Sequence, residues 1–144
     1  MAIWRSLART FATIFKHPVT RLYPEEKIEL DARFRGLHRY AEEKCIACGL
    51  CADACPNACI NVNCSLDRDG RKVLTDYRVD VGHCMFCGLC EDVCPTQALT
   101  LGQDYELAGY DRVGDFVWDR EDFRRYREKG TAYLFEKTAL KQKG

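Results

Sequence analysis

Residues 45–56 read CIACGLCADACP and residues 84–95 read CMFCGLCEDVCP. The intervals are the same: Cys45-x2-Cys48-x2-Cys51-x3-Cys55-Pro56, then Cys84-x2-Cys87-x2-Cys90-x3-Cys94-Pro95. Extended to 45–60 against 84–99, the two segments share eight of sixteen residues at an offset of 39: four Cys, one Gly, one Leu, one Asp and one Pro. So dense a match is an internal duplication. It predicts two copies of one supersecondary unit related by a pseudo-twofold axis. Between the copies, Asp69-Gly70 signals a turn, and Val73–Leu74 and Val79–Val81 read as short strands, so the insertion reads as a hairpin.

The spacing carries the chemistry. Three thiolates at x2 intervals converge from one tight loop, whose backbone N–H groups turn toward whatever the sulfurs hold. Gly49 and Gly88 sit where a side chain would obstruct that loop or its φ angle. The full run, with its closing Cys-Pro, is the spacing of bacterial [4Fe–4S] ligation, in which the fourth cysteine serves the other cluster. We therefore expect cluster I on Cys45, Cys48, Cys51 and Cys94, and cluster II on Cys84, Cys87, Cys90 and Cys55. Cross-ligation brings the clusters within tunnelling range and ties the halves of a small core together. Zinc is the competing reading, because CxxC pairs also suit a four-cysteine zinc site. Such a site does not require the x2, x2, x3-Cys-Pro run twice.

Two of the ten cysteines are surplus. Cys59 aligns with Ala98 in the duplication and reads as a small buried side chain. Cys64 follows in a strand-like segment. Among the histidines, His83 abuts Cys84 and reads as a solvated residue at a strand end, with proton coupling to cluster II as the sharper alternative. His38 reads as a packing or hydrogen-bonding residue ahead of the first run. His17 suits the end of a helix.

The flanks differ from the centre. The 144 residues are 47% hydrophobic and 31% charged, and their formal charge is zero, which argues against disorder and against a general nucleic-acid binder. Charge is segregated, however: residues 1–44 carry +3, residues 45–118 carry −6 and residues 119–144 carry +3. The acidic centre should lower reduction potentials, because reduction adds negative charge. Ile3, Trp4, Leu7, Phe11, Ile14 and Phe15 recur at helical spacing and predict an amphipathic helix over 3–16, ended near His17 by Pro18. Its basic face and Trp4 suit a membrane surface or a membrane-protein partner. No apolar run reaches the ~20 residues that span a bilayer, and the interrupting Arg5 and Arg9 argue against an export signal. Residues 18–44 read as an extended arm with one short strand, and 103–118 as loop. Asp119 should cap a helix over 120–129 ending at Gly130, followed by a shorter helix over 131–140. The expected organisation is thus 1–17 docking helix, 18–44 arm, 45–102 cluster domain and 103–144 docking extension. The fold class is α+β, a two-cluster ferredoxin-like core. No nucleophile set, phosphate loop or dinucleotide fingerprint is present, so redox partners must be proteins.

Pro18-Val19-Thr20, Tyr23-Pro24-Glu25, Arg33-Phe34-Arg35-Gly36 with His38, and Tyr105-Glu106-Leu107-Ala108 with Tyr110 resemble the I (TYKY-type) subunit of bacterial NADH–quinone oxidoreductase, respiratory complex I. The resemblance covers roughly residues 3–112. The shorter 38–45 segment and His83, in place of a basic residue, depart from the family pattern, and the resemblance does not extend to 113–144. The resemblance implies an electron-relay subunit of an oxidoreductase, with two [4Fe–4S] clusters and no bond-making of its own. It also implies a peripheral place on the cytoplasmic side of the cell inner membrane, next to the terminal-cluster subunit and the membrane quinone-site subunit. Two readings compete: the equivalent subunit of a related membrane complex fed by reduced deazaflavin, ferredoxin or a hydrogenase-type module, and a soluble ferredoxin carrier. Long basic, aromatic-rich arms favour a fixed subunit.

Overall fold

A computed structural model describes residues 2–134 of the chain. Contacts divide it into two units, Met1–Leu30 and Asp31–Gly144. The division falls inside the expected arm 18–44, and the described part of the expected extension 103–144 belongs to the same unit as the cysteine runs.

The first unit holds one helix, α1 (Ala2–Ile14). Its apolar residues share a face as their spacing requires, and that face stays exposed: Trp4 is 79% and Phe15 76% accessible. The helix ends at Ile14 rather than at His17. Thr10 and Thr13 donate their hydroxyls back to the carbonyls of Ser6 and Arg9, at 3.0 and 2.8 Å. Such back-bonding weakens a helix ahead of the Pro18 block. His17 therefore lies beyond the last turn.

In the second unit the order is β1 (His38–Tyr40), a 3-10 turn (Glu42–Lys44), α2 (Leu50–Asp53), β2 (Ile60–Leu66), β3 (Lys72–Asp80), α3 (Leu89–Asp92), β4 (Leu99–Leu101), α4 (Arg112–Phe116), β5 (Val117–Trp118) and α5 (Arg120–Lys129). This is an α+β chain with two small antiparallel sheets, β1-β4 and β2-β3-β5. The duplicated sequence has duplicated backbone. Gly49 and Gly88 precede α2 and α3 at φ 84° and 87°, Ala47 and Phe86 lie at 52° and 51°, and Ala58 and Gln97 at 50° and 49°. Every pair keeps the offset of 39.

The hairpin differs in detail from its sequence reading. Val73, Leu74 and Val79 belong to one strand, β3, and its partner is β2, with a register shift between Asn63 and Cys64. Asp69-Gly70 does turn the chain: Gly70 adopts φ 71° and its N–H donates to Asp67 O at 2.9 Å. Residues 112–118 are ordered as α4 and β5 where loop was expected. Asp111 caps α4 by accepting from Gly114 N at 2.9 Å, and Trp118 pairs with Val79 in the sheet. The expected helix over 120–129 is α5, opened by a capping box between Asp119 and Asp122 and closed at Gly130. Residues 131–134 are helical; the rest of the 131–140 helix lies outside the described residues.

The core is aromatic. Tyr40 and Tyr77 stack at 4.1 Å with ring planes 6° apart, and Phe123 and Trp118 close over them. Tyr126 and Tyr133 set their rings edge-on against Trp118. Polar ties reinforce this: Arg127 grips Glu43 with two hydrogen bonds of 2.8 and 2.6 Å, Arg120 pairs with Glu42, and Tyr126 donates to Asp104. The charged ties are exposed and worth little singly. The buried rings hold α5 against the segment that leads into Cys45.

Just before β1 and just after β4, Gly36 N donates to Gly102 O and Leu37 N to Asp104 O, both at 2.8 Å. A Cβ on Gly36 would fall 2.4 Å from the Asp104 carbonyl oxygen. Backbone cannot swing aside as a flexible side chain can. Gly36→Ala is therefore expected to destabilise the protein by about 1–3 kcal/mol, read as a lower midpoint in chemical denaturation of the cluster-loaded chain.

Candidate functional site

Each cysteine run folds as a loop that turns three sulfurs toward one side and then, through a short helix, sends the fourth elsewhere. Cys45, Cys48, Cys51 and Cys94 line one cavity. Cys55, Cys84, Cys87 and Cys90 line a second. Each cavity thus draws three cysteines from one run and one from the other.

Backbone amides address the sulfurs. Phe86 N donates to Cys84 Sγ at 3.3 Å, Cys59 N to Cys55 Sγ at 3.3 Å and Ala98 N to Cys94 Sγ at 3.2 Å. Elsewhere burial dominates. It pushes the Cys51 thiol up to about 11 and the Cys90 thiol up to about 12, and neighbouring sulfur charges add to both. Four thiolates in one apolar-walled cavity therefore require a positive centre among them.

The surroundings fit a sulfur-rich group. Tyr40 and Tyr77 line the first cavity, and both phenol oxygens are buried without a hydrogen-bond partner. Burial, with the Cys45 sulfur beside it, raises the Tyr40 phenol above its ordinary range, so it stays a donor. An orphaned buried O–H is costly, and a cluster's thiolates and sulfides are acceptors at that place. In the second cavity His38 plays the corresponding part. It is 1% exposed, its Nε2 lies 3.8 Å from Cys84 Sγ, and burial lowers its pKa to about 4. Among the described residues no three His, Cys, Asp or Glu side chains are arranged to hold a single metal ion. The sulfurs ring cavities instead, an arrangement suited to a polynuclear cluster rather than to a four-coordinate zinc.

The other candidates separate cleanly. Cys59 is buried as expected and also lines the second cavity, against Cys55 and Cys84. Cys64 is exposed on β2 and lines neither cavity. His83 turns away from the second cavity: its Nδ1 meets Asp80 Oδ2 at 2.5 Å, and Arg112 flanks its ring. The histidine beside the second cavity is His38, which the linear sequence places before the first run.

Two cavities, each lined by cysteines of both runs and set in an α+β core, define a two-cluster iron–sulfur protein. A 4Fe-4S dicluster domain matches residues 44–98. The NADH-quinone oxidoreductase subunit I of Carboxydothermus hydrogenoformans is 50% identical over 111 residues, spanning 77% of this chain and 79% of that protein. Its counterpart in Pectobacterium atrosepticum is 46% identical over 123 residues, 82% of this chain and 68% of that protein. A chain from the structure of the membrane-bound sulfane sulfur reductase, an archaeal respiratory membrane complex, is 32% identical. It superposes with a TM-score of 0.57 over 87% of this chain and 69% of its own length. The chain belongs to the NADH-quinone oxidoreductase subunit I family and carries two [4Fe–4S] clusters.

Proposed function

We propose that the chain relays electrons, one at a time, through the peripheral arm of a membrane-bound NADH–quinone oxidoreductase. The observation that carries this reading is the shared ownership of the two cavities. The first cavity would hold its cluster on Cys45, Cys48, Cys51 and Cys94, the second on Cys84, Cys87, Cys90 and Cys55, about the pseudo-twofold axis the duplication implies. Bound clusters supply one-electron redox chemistry. The protein's own residues do the rest. Amides of residues 59, 86 and 98 stabilise thiolate charge, and Tyr40 and Tyr77 seal the first cavity with apolar rings and two O–H donors.

Partners follow from the flanks. The sequence carries no phosphate loop or dinucleotide fingerprint, so we take the electron to arrive from one subunit and leave to another, the terminal-cluster subunit beside the quinone-site subunit. The apolar face of α1, with Arg5 and Arg9 on the other side, suits the cytoplasmic surface of the inner membrane. Among the described residues no helix is long and apolar enough to cross it. The likeness to a sulfane sulfur reductase chain supports a second reading, the same relay in a related membrane complex with a different electron-input module.

Gentle affinity purification of the tagged full chain from native membranes, with mass spectrometry, tests the proposal. A large complex containing a flavin-bearing NADH-oxidising subunit is expected. A different input module would favour the second reading, and recovery of the chain alone in the soluble fraction would refute both. Deleting residues 1–17 should sharply reduce recovery in the membrane complex while both clusters still form. A truncated chain that assembles into a fully active complex would remove the docking role.

A further inference from the structure

β1 presents alternate residues inward, so His38 and Tyr40 share one face of the strand. His38 reaches the first cysteine of the second run, Cys84, and Tyr40 lies beside the first cysteine of the first run, Cys45. One strand thus offers a different donor to equivalent ligands of the two cavities. We propose that His38 is the positioning residue that sets the reduction potential of the second cluster, by donating its Nε2–H to the Cys84 sulfur.

The tautomer follows from the surroundings. Nδ1 is buried with no hydrogen-bond partner. A buried donor left unpaired is worse than a buried acceptor, so Nδ1 is the lone-pair nitrogen and Nε2 carries the proton. The ring cannot swing away. It stacks on Phe86 at 5.8 Å, and Phe86 sits inside the ligand loop, with its own N–H on Cys84 Sγ at 3.3 Å. The strand behind it is pinned by the His38–Leu101 pairing. A residue present only for packing would not need nitrogen here, since a leucine or phenylalanine fills the same space without an orphaned atom.

The electrical consequence has a definite sign. Reduction adds one electron to the cluster and its thiolates, and a fixed N–H dipole aimed at one thiolate favours that added charge. The imidazole keeps its proton throughout. His38 therefore raises the second cluster's potential, and the first cluster, without this donor, is unaffected by changes at position 38.

This inference rests on the reading that the second quartet holds a [4Fe–4S] cluster, which iron and acid-labile sulfide analysis with Mössbauer spectra decides separately. The test is an EPR-monitored redox titration of the purified membrane complex carrying His38→Phe or His38→Gln. His38→Phe keeps the ring and removes the donor. It should lower the second cluster's potential by about the 59 mV that corresponds to a tenfold change in a one-electron equilibrium, and leave the first in place. His38→Gln, with an N–H to offer, should recover part of the shift. Two unchanged potentials, or equal shifts in both, would overturn the proposal. Should neither variant accumulate, pulsed EPR of the wild-type complex with 15N-histidine decides: hyperfine coupling to the second cluster supports the hydrogen bond, and its absence refutes it.

Discussion

Cys55→Ser is expected to abolish or convert the cluster beside Cys84, Cys87 and Cys90, and to spare the one bound by Cys55's own run. Chain neighbours predict the opposite, because Cys55 lies only a short helix after Cys51. Geometry decides for the second cavity, which Cys55 lines and the first three cysteines of its run do not. A serine oxygen is a hard ligand and a poor replacement for thiolate on iron–sulfur. Iron per chain should then fall by up to about half, with the EPR signal of one reduced cluster lost or altered. Cys59 complicates the single variant, since its thiol lies against Cys55 and lines the same cavity. It is a ready substitute ligand. The double variant Cys55→Ser/Cys59→Ala removes that rescue and should show the full loss. Cys94→Ser is the mirror experiment and should strike the cluster of Cys45, Cys48 and Cys51. Loss confined to the cluster of the mutated run, in either variant, would refute the cross-ligation.

The two cysteine runs were legible because ligand spacing is a local property, and the crossing of the fourth cysteine is the expectation that the serine variants test. The cap at Asp119 and the stop at Gly130 are local as well. What the sequence concealed is non-local pairing. β1 and β4 are three-residue strands more than fifty positions apart, too short for any period to announce. That pairing carries His38 past the first cysteine run to the second, whereas adjacency in the chain offers His83 only as the alternative to a solvated residue at a strand end. His83 is one residue from Cys84, yet the Asp80 carboxylate holds its ring elsewhere. Residues 112–118 misled for another reason. Gly109 and Gly114 read as loop, but Asp111 accepts a hydrogen bond from Gly114 N and Asp115 accepts from the amides of Tyr110 and Asp111. Those side chains satisfy the backbone of a single short turn, which then delivers Trp118 to the sheet.

Trp118→Ala should be the most damaging change outside the cysteines. The indole is 1% exposed, its Nε1 donates to Asp115 O at 3.0 Å, and it touches the rings of Phe123, Tyr126 and Tyr133. Truncating a buried tryptophan costs about 3–5 kcal/mol, part transfer and part cavity. The damage should also travel. Trp118 pairs with Val79 at the edge of β3, and Tyr77, on the same strand, walls the first cavity while stacked on Tyr40. Loosening β5 and α5 therefore acts directly on the two phenols that line the first cavity, and reaches the second cavity a step further on, through Ile60, which pairs with Val79. Because the clusters are lost irreversibly once their cavities open, the readout is a rate. On mild warming the variant should lose the first cluster's EPR signal well before the second's, whereas the wild-type protein retains both. Trp118→Phe, which keeps a ring but not the indole N–H, should fall between them. Simultaneous loss of both clusters in Trp118→Ala would mean that the aromatic layer supports the whole core equally, and that residues beyond Asp111 have no special bearing on the first cavity.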